Sequence, residues 1–331
     1  MRSTKSVGLR MATHFLLSTA ARTLSVATVA RLSDEEAFET FRQIRWAATA
    51  GEAVCPECGG VECYAFKTRK IWKCKACRHQ FSVTSGTLFA NRKLSIRDYL
   101  LAIALFVNGA KGYAALHLGR DLDVSYKTAF VLAHKLREAL ETEQNAIAQL
   151  TGHVSVDGAY FGGHVRPANR AEDRVDRRLA KNQSGKRQVV VVARERGGDT
   201  LTSVHKSEAH GVAFVEARVS ERATVYADEA AHWDALHARF LTKRINHQES
   251  YSEDGVHTND AEGFFSRLRR AEIGTHHHIS GRYLHAYAAE MAWREDNRRV
   301  SNGGQYLAVT RASLMHSVSR MAGYWQRRKA A

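Results

Sequence analysis

The sequence predicts an α/β protein: a mixed sheet flanked by helices, preceded by a small β ribbon that binds metal and by a helical block. Three observations carry this. Four of the cysteines fall into two C-x-x-C pairs, Cys55/Cys58 and Cys74/Cys77. Apolar residues recur at helical spacing from 94 to 145. Beyond 150, short β-rich runs come first and then alternate with helical ones, the pattern of a sheet covered by helices.

Size and charge set the frame. A chain of 331 residues is long enough for two domains and a large core. Lys plus Arg is 49 against 34 Asp plus Glu, so the formal net charge is +15 and the pI is about 9.8. That balance favours a polyanionic partner, because cations laid on a nucleic acid release its condensed counterions. A generic basic surface is the plainer reading. All 5 cysteines lie between Cys55 and Cys77. Such a local cluster in a long chain reads as a metal site in a reducing compartment, not as a secreted disulfide scaffold. No stretch approaches the ~18 uninterrupted apolar residues that crossing a membrane requires.

Residues 1–32 hold Arg2, Lys5, Arg10, Arg22 and Arg31, with no acid before Asp34. They share features with a transit peptide, but a disordered tail or an over-long start is the blander reading preferred here. Ser33 and Glu36 then form an S-x-x-E capping box that opens a short helix within 33–50, carrying Phe38, Phe41, Ile44 and Trp46. Residues 51–90 form the ribbon, with strands at 64–66, 71–73 and 80–83. Residues 91–147 are helical: Tyr99, Leu100, Ile103, Leu105 and Phe106 mark one helix. A second spans about 113–122, and a third begins near Ser125 with Phe130, Leu132, Leu136 and Leu140. Within 148–300 the strands fall at 153–160, 188–193, 201–205 and 224–227. Helices follow at about 209–217, 229–239, 259–272 and 281–298. Residues 301–331 read as a C-terminal helical tail.

The cysteine spacing is the most specific signal. Zn²⁺ favours four thiolates in a tetrahedron, and two C-x-x-C knuckles supply two ligands each from opposite ends of a small sheet. Gly59 and Gly60 ease the first turn, and Lys73, Lys75 and Arg78 offset the dianionic charge of the site. Cys63 reads as a structural or free thiol. A second signal is helical. The segment 112–122, a turn at Asp123-Val124 and a helix N-capped by Ser125 fit a helix-turn-helix. Lys127, Thr128, His134, Lys135 and Arg137 would then face DNA. An ordinary helical bundle fits the pattern equally well.

The third signal is acidic. Asp157 interrupts the apolar run Val154-Ser155-Val156, and Asp228 ends Val225-Tyr226-Ala227. Glu262 follows near the start of a helix. A buried acid is costly unless it is paired or binds metal. Three converging carboxylates can hold divalent cations for phosphoryl transfer. Each acid also has a bland reading: a turn residue at Asp157, a helix cap at Asp228, and the partner of an Asn259 capping box at Glu262.

These motifs together carry a resemblance. Cys-Pro-x-Cys at 55–58, Ser85-Gly86-Thr87-x-Phe89 and Val156-Asp157-Gly158-Ala159-Tyr160-Phe161-Gly162-Gly163 come first. Tyr226-Ala227-Asp228-Glu229, Asn246-His247, His257-Thr258-Asn259-x-x-Glu262-x-Phe264 and Gly274-Thr275-His276-His277-His278-Ile279-Ser280 follow. In that order, over residues 33–300, they resemble bacterial insertion-sequence DDE transposases with an N-terminal zinc ribbon and an ISXO2-like domain. The chain departs from the familiar pattern at Gly263 and Phe265. The resemblance implies a ribonuclease-H-like fold and a metal-binding triad of Asp157, Asp228 and Glu262, with Asn259 beside it. It implies structural Zn²⁺, catalytic Mg²⁺ or Mn²⁺, double-stranded DNA as partner, a homo-oligomer when two ends are synapsed, and a cytoplasmic, nucleoid-associated location. The basic stretch Arg170, Arg174, Arg177, Arg178, Lys181, Lys186 and Arg187 reads as a phosphate-binding loop or a solvated insertion. His247 and His257 are placed to orient DNA.

Overall fold

Two serines start the N-terminal body. Ser33 Oγ accepts from the Glu36 amide at 3.2 Å while the Glu36 carboxylate accepts from the Ser33 amide at 2.8 Å, which closes the capping box on helix α2, Asp34–Arg45. Ser95 and Asp98 repeat the device at the head of α3, Ile96–Asn108. A short helix α1, Val26–Ala30, precedes them. Helices α4, Ala115–Asp121, and α5, Tyr126–Ala146, follow. This computed structural model describes residues 14–163, 167–176, 182, 184–245 and 258–326.

The ribbon is an antiparallel sheet of β1 (Cys63–Phe66), β2 (Ile71–Cys74) and β3 (Gln80–Ser82) in that order. It is too small to bury a core of its own, so it borrows one. Trp72 stacks on Phe38 of α2 at 6.1 Å and on Phe81 at 6.1 Å, with Trp46 edge-on to it at 5.0 Å. Phe41, Phe89, Leu100, Ile103, Phe106 and Leu136 continue that core into the helices.

Two boundaries differ from the sequence expectation. Residues 14–32 do not behave as a free tail: Val29 of α1 is buried in this core, and Asn302 Oδ1 accepts from the Thr23 and Leu24 amides at 2.9 Å. The described part of the expected C-terminal tail 301–331, residues 301–326, is not an appendage either. Helix α9, Asn302–Met315, buries Tyr306, Val309 and Leu314 against the same N-terminal core, which its sequence distance conceals.

The second body is a five-stranded sheet, ordered β6 (Thr200–His205), β5 (Gln188–Glu195), β4 (His153–Phe161), β7 (Thr224–Asp228) and β8 (Leu241–Ile245). β4, β5 and β6 are antiparallel, whereas β7 and β8 run parallel to β4. This is the ribonuclease-H-like arrangement, with helices on both faces. The four valines of β5 explain themselves here. Val189 and Val191 point into a core shared with Val156, Trp233 and Leu236, while Val190 and Val192 point into one shared with Phe264, Leu268 and Met291. A strand covered on both sides reads as an unbroken apolar run. Helix α6, Val212–Arg218, lies on the first face; α7, Asn259–Ala271, and α8, Leu284–Asp296, lie on the second. The edge strand β8 was not expected from sequence, because Leu241-Thr242-Lys243-Arg244-Ile245 carries the charges that guard an open edge. The helix expected at 229–239 is a run of 3-10 turn over Ala231–Ala238. Among the described residues no helix is long and apolar enough to cross a membrane.

Candidate functional site

The metal centre comes first because it is the most local. Each C-x-x-C knuckle closes in the same way. The Cys55 amide donates to the Gly60 carbonyl and the Cys74 amide to the His79 carbonyl, both at 2.9 Å. The fifth residue of each knuckle is left-handed, Gly59 at φ 72° and Arg78 at φ 63°. The first uses the residue that adopts this conformation freely; the second accepts its strain. Cys55 Sγ lies 3.6 Å from Cys77 Sγ and Cys58 Sγ 3.6 Å from Cys74 Sγ, and all four sulfurs fall within 4.8 Å of one another. Four thiolates at a Zn–S length of about 2.3 Å lie roughly 3.8 Å apart, so the quartet fits Zn²⁺. A Cβ on Gly60 would sit 3.2 Å from Cys74 Sγ, which keeps that position small. Cys63 stands outside the quartet, its Sγ 3.8 Å from the Gly60 carbonyl.

The carboxylates are brought together by strand register. β4 and β7 are parallel, with Ser155 opposite Tyr226. Two residues further along each strand, Asp157 and Asp228 stand level and on the same side of the pleat. Helix α7 packs across β4 and delivers Glu262 from its first turn. Asp157 Oδ1 accepts from the Gly158 amide at 2.7 Å. Burial, with the charges of Asp228, Glu208 and Glu262 added, pushes the Asp157 carboxyl up to about 7. Mutual repulsion of this kind, among donors that are all hard oxygens, suits a divalent cation such as Mg²⁺ or Mn²⁺. Among the described residues only the cysteine quartet draws three or more such ligand atoms into a close cluster. The carboxylates share a field without reaching that spacing.

Neighbouring groups sort the acids by role. Asp228 also caps: its Oδ1 accepts from the Ala230 amide at 3.2 Å. Arg244 of β8 pins this strand end by donating to the Asp228 and Ala230 carbonyls. Asn259 is not the N-cap of α7. Thr258 holds that position without a side-chain cap bond, so the Asn259–Glu262 capping box is not formed. Both residues are exposed in the first turn, and Asp260 turns aside to pair with Arg196 at 3.6 Å.

Sequence reasoning missed Glu208. It stands in a 3-10 turn after β6, and its Cγ presses on Gly158 so closely that a Cβ there would be 2.5 Å away. Its Oε2 lies 3.3 Å from His232 Nε2. Burial and then Asp228 raise its carboxyl above the usual range. The polar run Lys206-Ser207-Glu208-Ala209-His210 carries no local signal of this; only the sheet order reveals it.

The helix-turn-helix expectation has a clear geometric counterpart. Asp123 turns at φ 50°, and the Val124 amide donates to the Gly119 carbonyl at 2.9 Å. A Cβ on Gly119 would lie 3.1 Å from the Val124 carbonyl oxygen, so α4 and α5 meet at a glycine. Ser125 Oγ accepts from the Thr128 amide at 3.3 Å. Lys127 is exposed at the head of α5, and Lys135 is half-buried. Arg137 and His134 correct the reading, because both are buried against α8. The Arg137 guanidinium donates to Glu290 at 2.6 Å and lies over Tyr287 at 4.1 Å, so it is no DNA contact. His276, from the motif at 274–280, stands edge-on to Tyr287, and burial lowers it to about 4, which keeps it neutral.

Arg170, Arg174, Lys186 and Arg187 are all exposed, and Arg187 lies 4.5 Å over Tyr160 of β4. Arg170 stands 3.6 Å from Glu172. Arg177, Arg178, Lys181, His247 and His257 lie outside the described residues.

A sheet of this order, with acids level on two neighbouring strands and a third on the covering helix, defines the DDE class of ribonuclease-H-like proteins. Family comparison narrows it. Residues 149–296 match the ISXO2-like transposase domain and residues 32–80 the transposase zinc-ribbon domain. Together these cover more than half of the chain, which belongs to the insertion-sequence transposases that carry both. A protein from Halobacterium salinarum, described as an uncharacterized protein in transposable element ISH50, is 24% identical over 252 residues, spanning 72% of this chain and 83% of its own. A solved pre-cleavage Mos1 transpososome matches 62% of this chain and 78% of its own at 9% identity and a TM-score of 0.21, a likeness on which nothing rests.

Proposed function

We propose that this chain cuts the ends of its element and joins them to target DNA. The observation that supports the reading most is the parallel register of β4 and β7, which carries Asp157 and Asp228 two residues beyond the Ser155–Tyr226 pair, with the charges of Asp228 and Glu262 felt at Asp157. Asp157, Asp228 and Glu262 would hold Mg²⁺ or Mn²⁺, and the bound cation supplies Lewis-acid activation and neutralises charge at the phosphate. Asn259, three residues before Glu262 on the same helix face, orients the scissile phosphate. Lys186 and Arg187 screen the DNA backbone beside β4. Water opens one phosphodiester and leaves a 3′-OH; that hydroxyl then displaces a bridging oxygen of the target in line. No covalent link to the protein is formed. The ribbon and the helix-turn-helix select the terminal inverted repeats, and pairing two ends calls for a homo-oligomer on DNA. The work is placed at the nucleoid.

The deciding experiment supplies pre-cut element ends and target DNA with Mg²⁺. Joined product is expected. Cleavage of uncut ends without any joining would leave only a metal-dependent nuclease. A second expectation concerns the ribbon. Cys74→Ser should lose bound zinc and weaken end binding about tenfold or more in a gel-shift titration, while the carboxylate site stays assembled. Unchanged binding by a zinc-free variant would reduce the ribbon to a folding element.

A further inference from the structure

A cavity of about 510 Å³ opens at the head of α5, between the loop after the ribbon, the first turns of α5 and the C-terminal segment 321–326. Its volume lies within the range of pockets that take whole small molecules. Lys93, Lys127 and Lys135 line it, and no carboxylate does. Among the described residues none of the three forms a salt bridge; burial lowers the Lys135 ammonium from its ordinary value, and Glu138, one turn along α5, acts on it only through its field. The floor is apolar, from Leu94, Val131 and Leu132. One wall is Trp325, whose indole N–H donates to the Lys127 carbonyl at 3.2 Å and whose ring lies 5.6 Å from the Lys127 ammonium. Trp325 is 46% exposed, while Trp46, Trp233 and Trp293 are buried.

Three cations free of salt bridges above an apolar floor with an aromatic wall are the two halves of a nucleotide site. The cations suit a phosphodiester, and the floor and ring suit a base face. A paired base keeps its faces in the stack and presents only edges. We propose that this cavity takes one unpaired nucleotide of a DNA strand, its phosphate among Lys93, Lys127 and Lys135 and its base against Trp325. The proposal rests on the DNA-binding reading above and adds what that reading lacks: a preference for an end carrying a single-stranded extension.

The test uses the full-length, zinc-loaded protein and three labelled DNAs: a blunt duplex, the same duplex with a short single-stranded overhang, and that overhang built from abasic residues. Anisotropy gives affinity, and intrinsic fluorescence reports the indole. The overhang is expected to bind roughly tenfold more tightly than the blunt end and to quench the indole emission, and the abasic overhang to do neither. Trp325→Ala should erase the overhang preference while leaving blunt-end affinity and the melting temperature unchanged, and Trp325→Phe should restore part of it. Lys127→Gln with Lys135→Gln should weaken the overhang more than the blunt end. Equal affinity for blunt, intact and abasic ends would overturn the nucleotide pocket while leaving duplex binding in place. An abasic overhang that matched the intact one would leave a phosphate site only, and would also overturn it. Binding to none of the three would remove the DNA reading itself.

Discussion

Asp157→Asn is expected to abolish both cleavage and joining, by roughly 10³-fold or more, and to raise the melting temperature in metal-free buffer. The two effects have one cause. Asp157 sits within β4, where burial and three neighbouring carboxylates push its carboxyl up to about 7. The folded state therefore binds this proton more tightly than the unfolded chain, whose aspartates titrate near 4. The carboxylate's penalty is absent below that value, grows as pH rises through about 7, and is complete above it. Asparagine keeps the shape and removes the charge, so the gain should be seen at pH 8 and vanish near pH 4. Mn²⁺ should stabilise the wild type at pH 8, because a cation answers the same repulsion, and should stabilise Asp157→Asn far less. A variant that retained cleavage would remove Asp157 from the site; one that matched the wild type in its Mn²⁺ response would remove it from the metal.

Local rules were legible in the sequence, and long-range ones were not. The two knuckles need only five residues each, so their spacing announced the ribbon. Ser33/Glu36 marked a helix start for the same reason. Asp157 and Asp228 stood out because each breaks an apolar run, and parallel pairing of β4 with β7 then sets them level. Glu208 could not be found this way, since its neighbour Gly158 is 50 positions distant and only the sheet order joins them. Only the bland reading of Asn259, as the cap of α7, fails, because capping depends on where the preceding chain enters the helix, and Thr258 takes that place. His134 and Arg137 misled most. Helical spacing places both on α5, but which face is exposed and which meets protein depends on α8, whose Glu290 is 153 residues from Arg137.

That buried cluster is where the largest loss of stability is expected. Glu290 is fully buried and accepts from Arg137 Nε at 2.6 Å and from Arg294 Nε at 2.9 Å. Arg294 also donates to the Phe106 carbonyl of α3 at 2.6 Å, and Arg137 to the Tyr113 carbonyl at 3.4 Å. One carboxylate thus holds two guanidiniums at the joint between the helical block and the ribonuclease-H-like body. Burial alone would raise Glu290, but the charges of Arg137 and Arg294 hold it down to about 2. Its contribution is therefore present above the ordinary glutamate range near 4.5 and is lost only as pH falls toward 2. Glu290→Ala leaves two buried cations unanswered, a change that costs about 3–5 kcal/mol. Urea unfolding should show this as a lower midpoint, and the joint should open first. Glu290→Gln keeps the shape and one acceptor, so its loss should be smaller. If Arg137→Leu is added to Glu290→Leu, one of the stranded charges goes, and the pair should be less unstable than Glu290→Leu alone. A double variant as unstable as the sum of its parts would mean that packing of α5 on α8, not this ion cluster, holds the two bodies together.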